Sequence, residues 1–168
     1  YCTMHHNLLA HHSSRNPRFA SGAGYNDYRN NVLYNWGYQS CYGGEMLHTT
    51  RKNAFVVTFV NMVANYYKPG PATLPGRVAE RIVAPSYRET LDNYGKWYVA
   101  ENVVEGSPKV TADNWDGGVQ PDEESHIEYL RLAEPWDAMP IRQQTAEEAY
   151  EAVLKEVGAT LPRRDAVD

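Results

Sequence analysis

The residues best equipped for chemistry lie together in Ser13-Ser14-Arg15-Asn16-Pro17-Arg18. Two arginines flank an Asn-Pro pair, and the first acidic residue of the chain is Asp27. Cations on a turn with no acid nearby in sequence read as an anion site carried by a loop. Just before the turn stand His5-His6 and His11-His12. Neighbouring residues of a strand point to opposite faces, so neither pair chelates a metal as a unit, and packing in the turn and sheet is the expected role.

The elements that must hold this turn are announced by a repeat. An Asn followed by two apolar residues occurs at Asn7-Leu8-Leu9, Asn31-Val32-Leu33, Asn61-Met62-Val63 and Asn102-Val103-Val104. The intervals are 31−7 = 24, 61−31 = 30 and 102−61 = 41 residues. One solution is a parallel β-solenoid, with a short strand on each side of every Asn and loops of variable length between. The Asn amides then hydrogen-bond along the stack as a ladder. A β-sandwich whose strands happen to contain Asn is the alternative, although Asn is depleted in strand interiors.

Gly43-Gly44 and Lys68-Pro69-Gly70-Pro71 punctuate the loops. Gly76 to Lys96 reads as a long excursion, Trp97 to Val104 as the last strand pair, and Gly106 to Asp122 as polar loop. In the tail, Thr145-Ala-Glu-Glu148 has capping-box spacing, and Ala149, Ala152, Val153 and Val157 share one face of a short amphipathic helix. That helix is expected to cover the side or end of the solenoid.

Composition narrows the function classes. With 168 residues, 42% hydrophobic and 22% charged, the chain can bury a core and is not disordered throughout. Residues 1–120 hold 11 Lys+Arg against 9 Asp+Glu, a net +2, and residues 121–168 hold 5 against 12, a net −7. That balance argues against a nucleic-acid partner. No apolar run reaches membrane-spanning length, so no membrane span is expected. Cys2 and Cys41 fall at unmatched offsets from their Asn markers and are expected to be reduced and buried. Thirteen Tyr and four Trp suit a saccharide groove and half-buried strands equally well.

Four stretches carry a family resemblance: His5 to Phe19, Asn30-Asn31-Val32-Leu33-Tyr34-Asn35-Trp36-Gly37, Tyr42-Gly43-Gly44-Glu45 and Asn65-Tyr66-Tyr67-Lys68-Pro69-Gly70-Pro71. Together they resemble the bacterial pectate lyases of polysaccharide lyase family one, over roughly residues 1–73. Leu161 to Asp168 also resembles a late segment of such proteins. The resemblance implies an all-β, right-handed parallel β-helix with a short C-terminal helical tail, divided into β-helix at 1–120 and a C-terminal extension at 121–168. It further implies a secreted or periplasmic lyase that cleaves polygalacturonate by β-elimination and leaves 4,5-unsaturated oligogalacturonates.

By the same resemblance Arg15, in Arg15-Asn16-Pro17, is the catalytic base, and Arg18 binds a substrate carboxylate. The family's second arginine, three places after the proline, is Ala20 here. Calcium is the implied cofactor, its ligands expected upstream of this chain, because Asp27 and Glu45 are isolated acids. The first strand is expected to need a cover, so polygalacturonate or pectin, and a missing N-terminal β-helix segment or complementary chain, are the expected partners. A non-catalytic carbohydrate-binding or structural β-helix fragment and a calcium-independent pectin lyase stand as alternatives. Tyr34, Trp36, Tyr42, Tyr67 and Lys68 are readable as saccharide contacts but more simply as packing residues.

Overall fold

The computed structural model describes residues 1–49 and 54–158; the likeness at Leu161 to Asp168 therefore lies outside the described residues. In chain order the strands are β1 (Cys2–His5), β2 (Leu8–Ala10), β3 (Arg18–Phe19), β4 (Gly24–Arg29), β5 (Val32–Tyr34), β6 (Cys41–Gly43), β7 (Leu47–Thr49), β8 (Ala54–Val56), β9 (Thr58–Val63), β10 (Tyr66–Lys68), β11 (Val83–Pro85), β12 (Lys96–Ala100) and β13 (Val103–Val104). Among the described residues α1 (Arg77–Glu80) lies between β10 and β11, and α2 (Pro108–Ala112), α3 (Ile127–Leu130) and α4 (Ala146–Glu156) follow the last strand.

Three sheets are wholly parallel. The first runs β1-β4-β9-β12, the second β13-β10-β5-β2 and the third β11-β6-β3, while β7 and β8 pair antiparallel. The chain passes from first sheet to second to third and back, in that order each time. The structure is thus mostly parallel β-sheet with few helices.

The step from first sheet to second is built the same way four times. A residue in the left-handed region, His6, Asn30, Ala64 or Glu101 with φ of 54, 53, 51 and 60°, precedes an Asn and turns the chain sharply. The Asn side chains then bond in file: Nδ2 of Asn7 to Oδ1 of Asn31 at 2.8 Å, Asn31 to Asn65 at 3.1 Å, and Asn65 to Asn102 at 2.8 Å. Asn102 continues the file to Asn114 at 2.9 Å.

This corrects the third position of the repeat. Asn65 occupies it, not Asn61, so the intervals become 24, 34 and 37 residues. Asn61 sits mid-strand in β9, opposite Asp27 and Tyr98, where no turn occurs. Its amide bonds the backbone of Trp136 instead, accepting from the Trp136 N–H at 3.1 Å and donating to its carbonyl at 2.9 Å.

Between the sheets lies one core, including Phe19, Tyr28, Leu33, Trp36, Met62, Tyr67, Ile82 and Trp97. The 106–122 stretch is folded rather than open loop. Val110, Trp115 and Val119 are buried there, and the Asn114 amide donates to the carbonyls of Asn102 and Val110, which closes the file. The 76–96 excursion likewise contributes α1 and β11. The tail helix is α4, with Thr145 and Glu148 forming both bonds of the capping box. It lies on the second sheet, where Tyr150 stacks on Tyr66 with ring centroids 4.4 Å apart. Both cysteines are free; Cys41 is buried, but Cys2 is exposed, because β1 has a strand neighbour on one side only among the described residues.

Candidate functional site

The turn from 11 to 18 is laid along the equivalent turn from 35 to 42. The carbonyl of His12 accepts from Gly37 N–H, that of Ser13 from Tyr38 and Gln39, and Asn16 N–H donates to the Ser40 carbonyl at 3.1 Å. Asn16 is buried, and its Nδ2 donates to the Gln39 carbonyl at 3.1 Å, so this short polar side chain ties the two turns together. The Asn16–Pro17 peptide is cis.

Arg15 stands at the crest of this turn, exposed, with φ of 65°. No hydrogen bond or ion pair engages its guanidinium among the described residues. Arg18 begins β3 beside Tyr42 of β6, and its guanidinium carbon stands 5.6 Å from the Tyr42 ring centre. Arg18 also reaches Glu45, Nη2 to Oε1, at 3.9 Å. Its positive charge is therefore partly compensated, unlike that of Arg15. Ala20, the remaining position of the turn motif, is exposed.

Glu45 is the acid the structure brings to this neighbourhood. Gly43 and Gly44 have φ of 96 and 79°, and a Cβ on Gly44 would stand 2.5 Å from the Trp97 ring, so the chain bends here close against the core. The buried Glu45 carboxylate accepts from Ser86 Oγ at 2.8 Å and Ser21 Oγ at 3.0 Å. Burial pushes its pKa up, but the bonds from Ser86, its own backbone and Ser21, with the Arg18 charge, outweigh it and leave the carboxyl below the usual range.

Asp27 is elsewhere. It is buried in β4 of the first sheet and held by Arg29, Nε to Oδ2 at 2.7 Å and Nη2 to Oδ1 at 2.5 Å. The two acids of the early chain are thus apart, Asp27 in β4 and Glu45 in the loop after β6, and both are already bonded. Among the described residues no group of three or more His, Cys, Asp or Glu is placed to hold a metal. Calcium takes six or more oxygens, so the described residues do not by themselves fit it.

His5 and His6 do not point to opposite faces: their Nδ1 atoms lie 2.8 Å apart, because His6 follows β1 in the left-handed region rather than continuing the strand. The remaining histidine contacts are to separate residues. His6 bonds Gln144 at 2.6 Å, His11 bonds Asn35 at 2.8 Å, and His12 contacts Asn16 at 3.2 Å. Trp36 and Tyr67 are core residues, Tyr34 packs edge-on against His11, and Lys68 pairs with Glu105. Tyr42 alone of the aromatic candidates lies beside an arginine of the turn. Two polar residues that the sequence does not single out, Gln39 and Arg81, are also brought beside the turn. Their pairing spans 42 residues, and no local motif marks it.

Comparison of the chain with known protein families and with curated proteins finds no match.

Proposed function

We propose that the chain is part of a pectate lyase, built as a right-handed parallel β-helix, that cleaves polygalacturonate by β-elimination. The three parallel sheets taken in constant order and the file of Asn amides support the architecture. The observation that carries the functional reading is Arg15: an exposed guanidinium, held on a turn pinned by Asn16, with no acid bonded to it among the described residues.

In this reading Arg15 takes the C5 proton of a galacturonate, the electron pair forms the C4–C5 double bond, and the C4–O bond breaks. The leaving oxygen takes a proton from solvent. Arginine ordinarily keeps its proton, so Arg15 must first give one up to solvent and react as the neutral guanidine, which then accepts the C5 proton. Arg18, over Tyr42, holds a uronate carboxylate by exchanging its long contact with Glu45 for a shorter one. Calcium belongs to the proposal only through ligands outside this chain, and none of these steps runs through it. The reading puts the protein outside the cytoplasm, secreted or periplasmic.

One observation favours a second reading, a non-catalytic polyuronide-binding β-helix. Asp27 and Glu45 are both fully engaged, which leaves the arginines able to bind carboxylates without a metal to activate them. Incubating the protein with polygalacturonate separates the two. The lyase reading predicts growing ultraviolet absorbance from unsaturated uronate; binding without that absorbance supports the second reading.

A further inference from the structure

The strand register continues the anion site away from Arg15. Arg18 pairs with Tyr42 and Tyr42 with Ala84, so counting back three residues from each gives Arg15, Gln39 and Arg81 on adjacent turns. The Asn16 amide on the Ser40 carbonyl holds the first two turns side by side. The Ser40 hydroxyl on the Ile82 carbonyl, at 3.2 Å, joins the second to the third.

Arg81 is half-buried and has no carboxylate partner among the described residues. Its Nε donates to Gln120 Oε1 at 2.8 Å, and its Nη1 to Gln39 Oε1 and the Tyr38 carbonyl. These acceptors are neutral, and Nη2 carries no hydrogen bond among the described residues. Burial and the neighbouring Arg77 hold the guanidinium below the usual arginine range. A partly desolvated cation surrounded by neutral dipoles is an incomplete arrangement, which an incoming anion completes.

Gln39 extends the pattern. Its Oε1 is occupied by Arg81, which fixes the sense of the amide and leaves the Nε2 hydrogens as donors without an acceptor among the described residues. Three adjacent positions thus offer donors only. Neighbouring parallel strands lie about 4.8 Å apart, so Arg15 and Arg81 are separated by roughly 9–10 Å. A polymer bearing a carboxylate on every sugar can present separate carboxylates to the two positions.

We propose that Arg81, with the Gln39 amide beside it, is a second carboxylate subsite of the same groove, occupied by a uronate that is not the one being cleaved. This rests on the polyuronide reading above. It makes affinity depend on free carboxylates at more than one sugar.

The test is calorimetric titration of wild-type protein, Arg81→Gln and Arg81→Lys with trigalacturonate and with its fully methyl-esterified form. Arg81→Gln is expected to weaken binding of the acid about tenfold, Arg81→Lys less, and the ester is expected to bind all three proteins alike. Equal affinity of wild type and a folded Arg81→Gln for the acid overturns the subsite and leaves the polyuronide reading standing. Failure of the wild-type protein to bind the acid overturns both. Should Arg81→Gln not fold, wild-type protein is treated with an arginine-modifying dicarbonyl and mapped by mass spectrometry. Protection of Arg81 by trigalacturonate supports the subsite, and an unchanged modification rate overturns it.

Discussion

Asn65 donates from Nδ2 to Oδ1 of Asn102 at 2.8 Å, while its own Oδ1 accepts from the backbone N–H of Asn31 at 2.9 Å and from the Asn31 amide at 3.1 Å. A second bond from Nδ2 reaches the Tyr28 carbonyl at 3.1 Å. One fully buried side chain therefore satisfies the turn before it and is satisfied by the turn after it. The positions of all three sheets, and of the arginine-bearing turn that follows the second, depend on such amides.

Asn65→Ala should accordingly destabilise the whole fold. It strands buried donors and an acceptor, each costing about 1–3 kcal/mol, and a total near 3 kcal/mol is expected. Thermal unfolding followed by circular dichroism measures it. A change below about 0.5 kcal/mol, typical of surface substitutions, would refute the role given to the file.

Asn61→Ala should act differently, although the two residues sit in similar local sequence. Its bonds hold the backbone at Trp136, so its loss frees that segment from β9. Limited proteolysis should show faster cleavage between residues 131 and 145, with a smaller change in Tm than for Asn65→Ala. Equal destabilisation by both substitutions would restore Asn61 to the file.

Glu45 makes stability depend on acid pH. Its folded carboxyl titrates below the ordinary value, so its contribution is present above the unfolded pKa, about 4.3, and is lost as pH falls through the folded pKa. Glu45→Gln should therefore lower stability at pH 7 by about 1–3 kcal/mol and flatten the decline below pH 5. Urea unfolding across pH 3–7 checks both, and parallel curves for the two proteins would count against the assignment.

Arg18→Ala should weaken polygalacturonate binding while leaving the turn in place, because Asn16 and not Arg18 ties that turn to its neighbour. The expected signature is a raised KM with a smaller effect on kcat. An unchanged KM would remove Arg18 from the groove.

Much of this architecture is legible in the residues, and the misreadings have physical causes. Asn7, Asn31 and Asn102 stand out because two apolar residues follow each. Asn61-Met62-Val63 meets the same description, whereas Asn65-Tyr66-Tyr67 offers rings, and only the register shows which Asn lies at the turn. The left-handed residue before each Asn is His, Asn, Ala or Glu, types with no common signature. Val110 and Trp115 are separated by Thr111, Ala112, Asp113 and Asn114, with no apolar periodicity, so the segment that closes the file reads as loop. Within the candidate site, the Arg15 turn is legible in the sequence as an uncompensated cation. The Gln39–Arg81 pair is not, since its partners meet only when the third sheet stacks.

The role proposed for Arg15 as the base of a β-elimination is read out by ultraviolet absorbance of unsaturated uronate released from polygalacturonate by wild-type protein and by Arg15→Ala. Wild-type protein is expected to release it and Arg15→Ala to lose at least about 100-fold, with unchanged circular dichroism. Release by Arg15→Ala at the wild-type rate would contradict it, as would a folded wild-type protein that releases none.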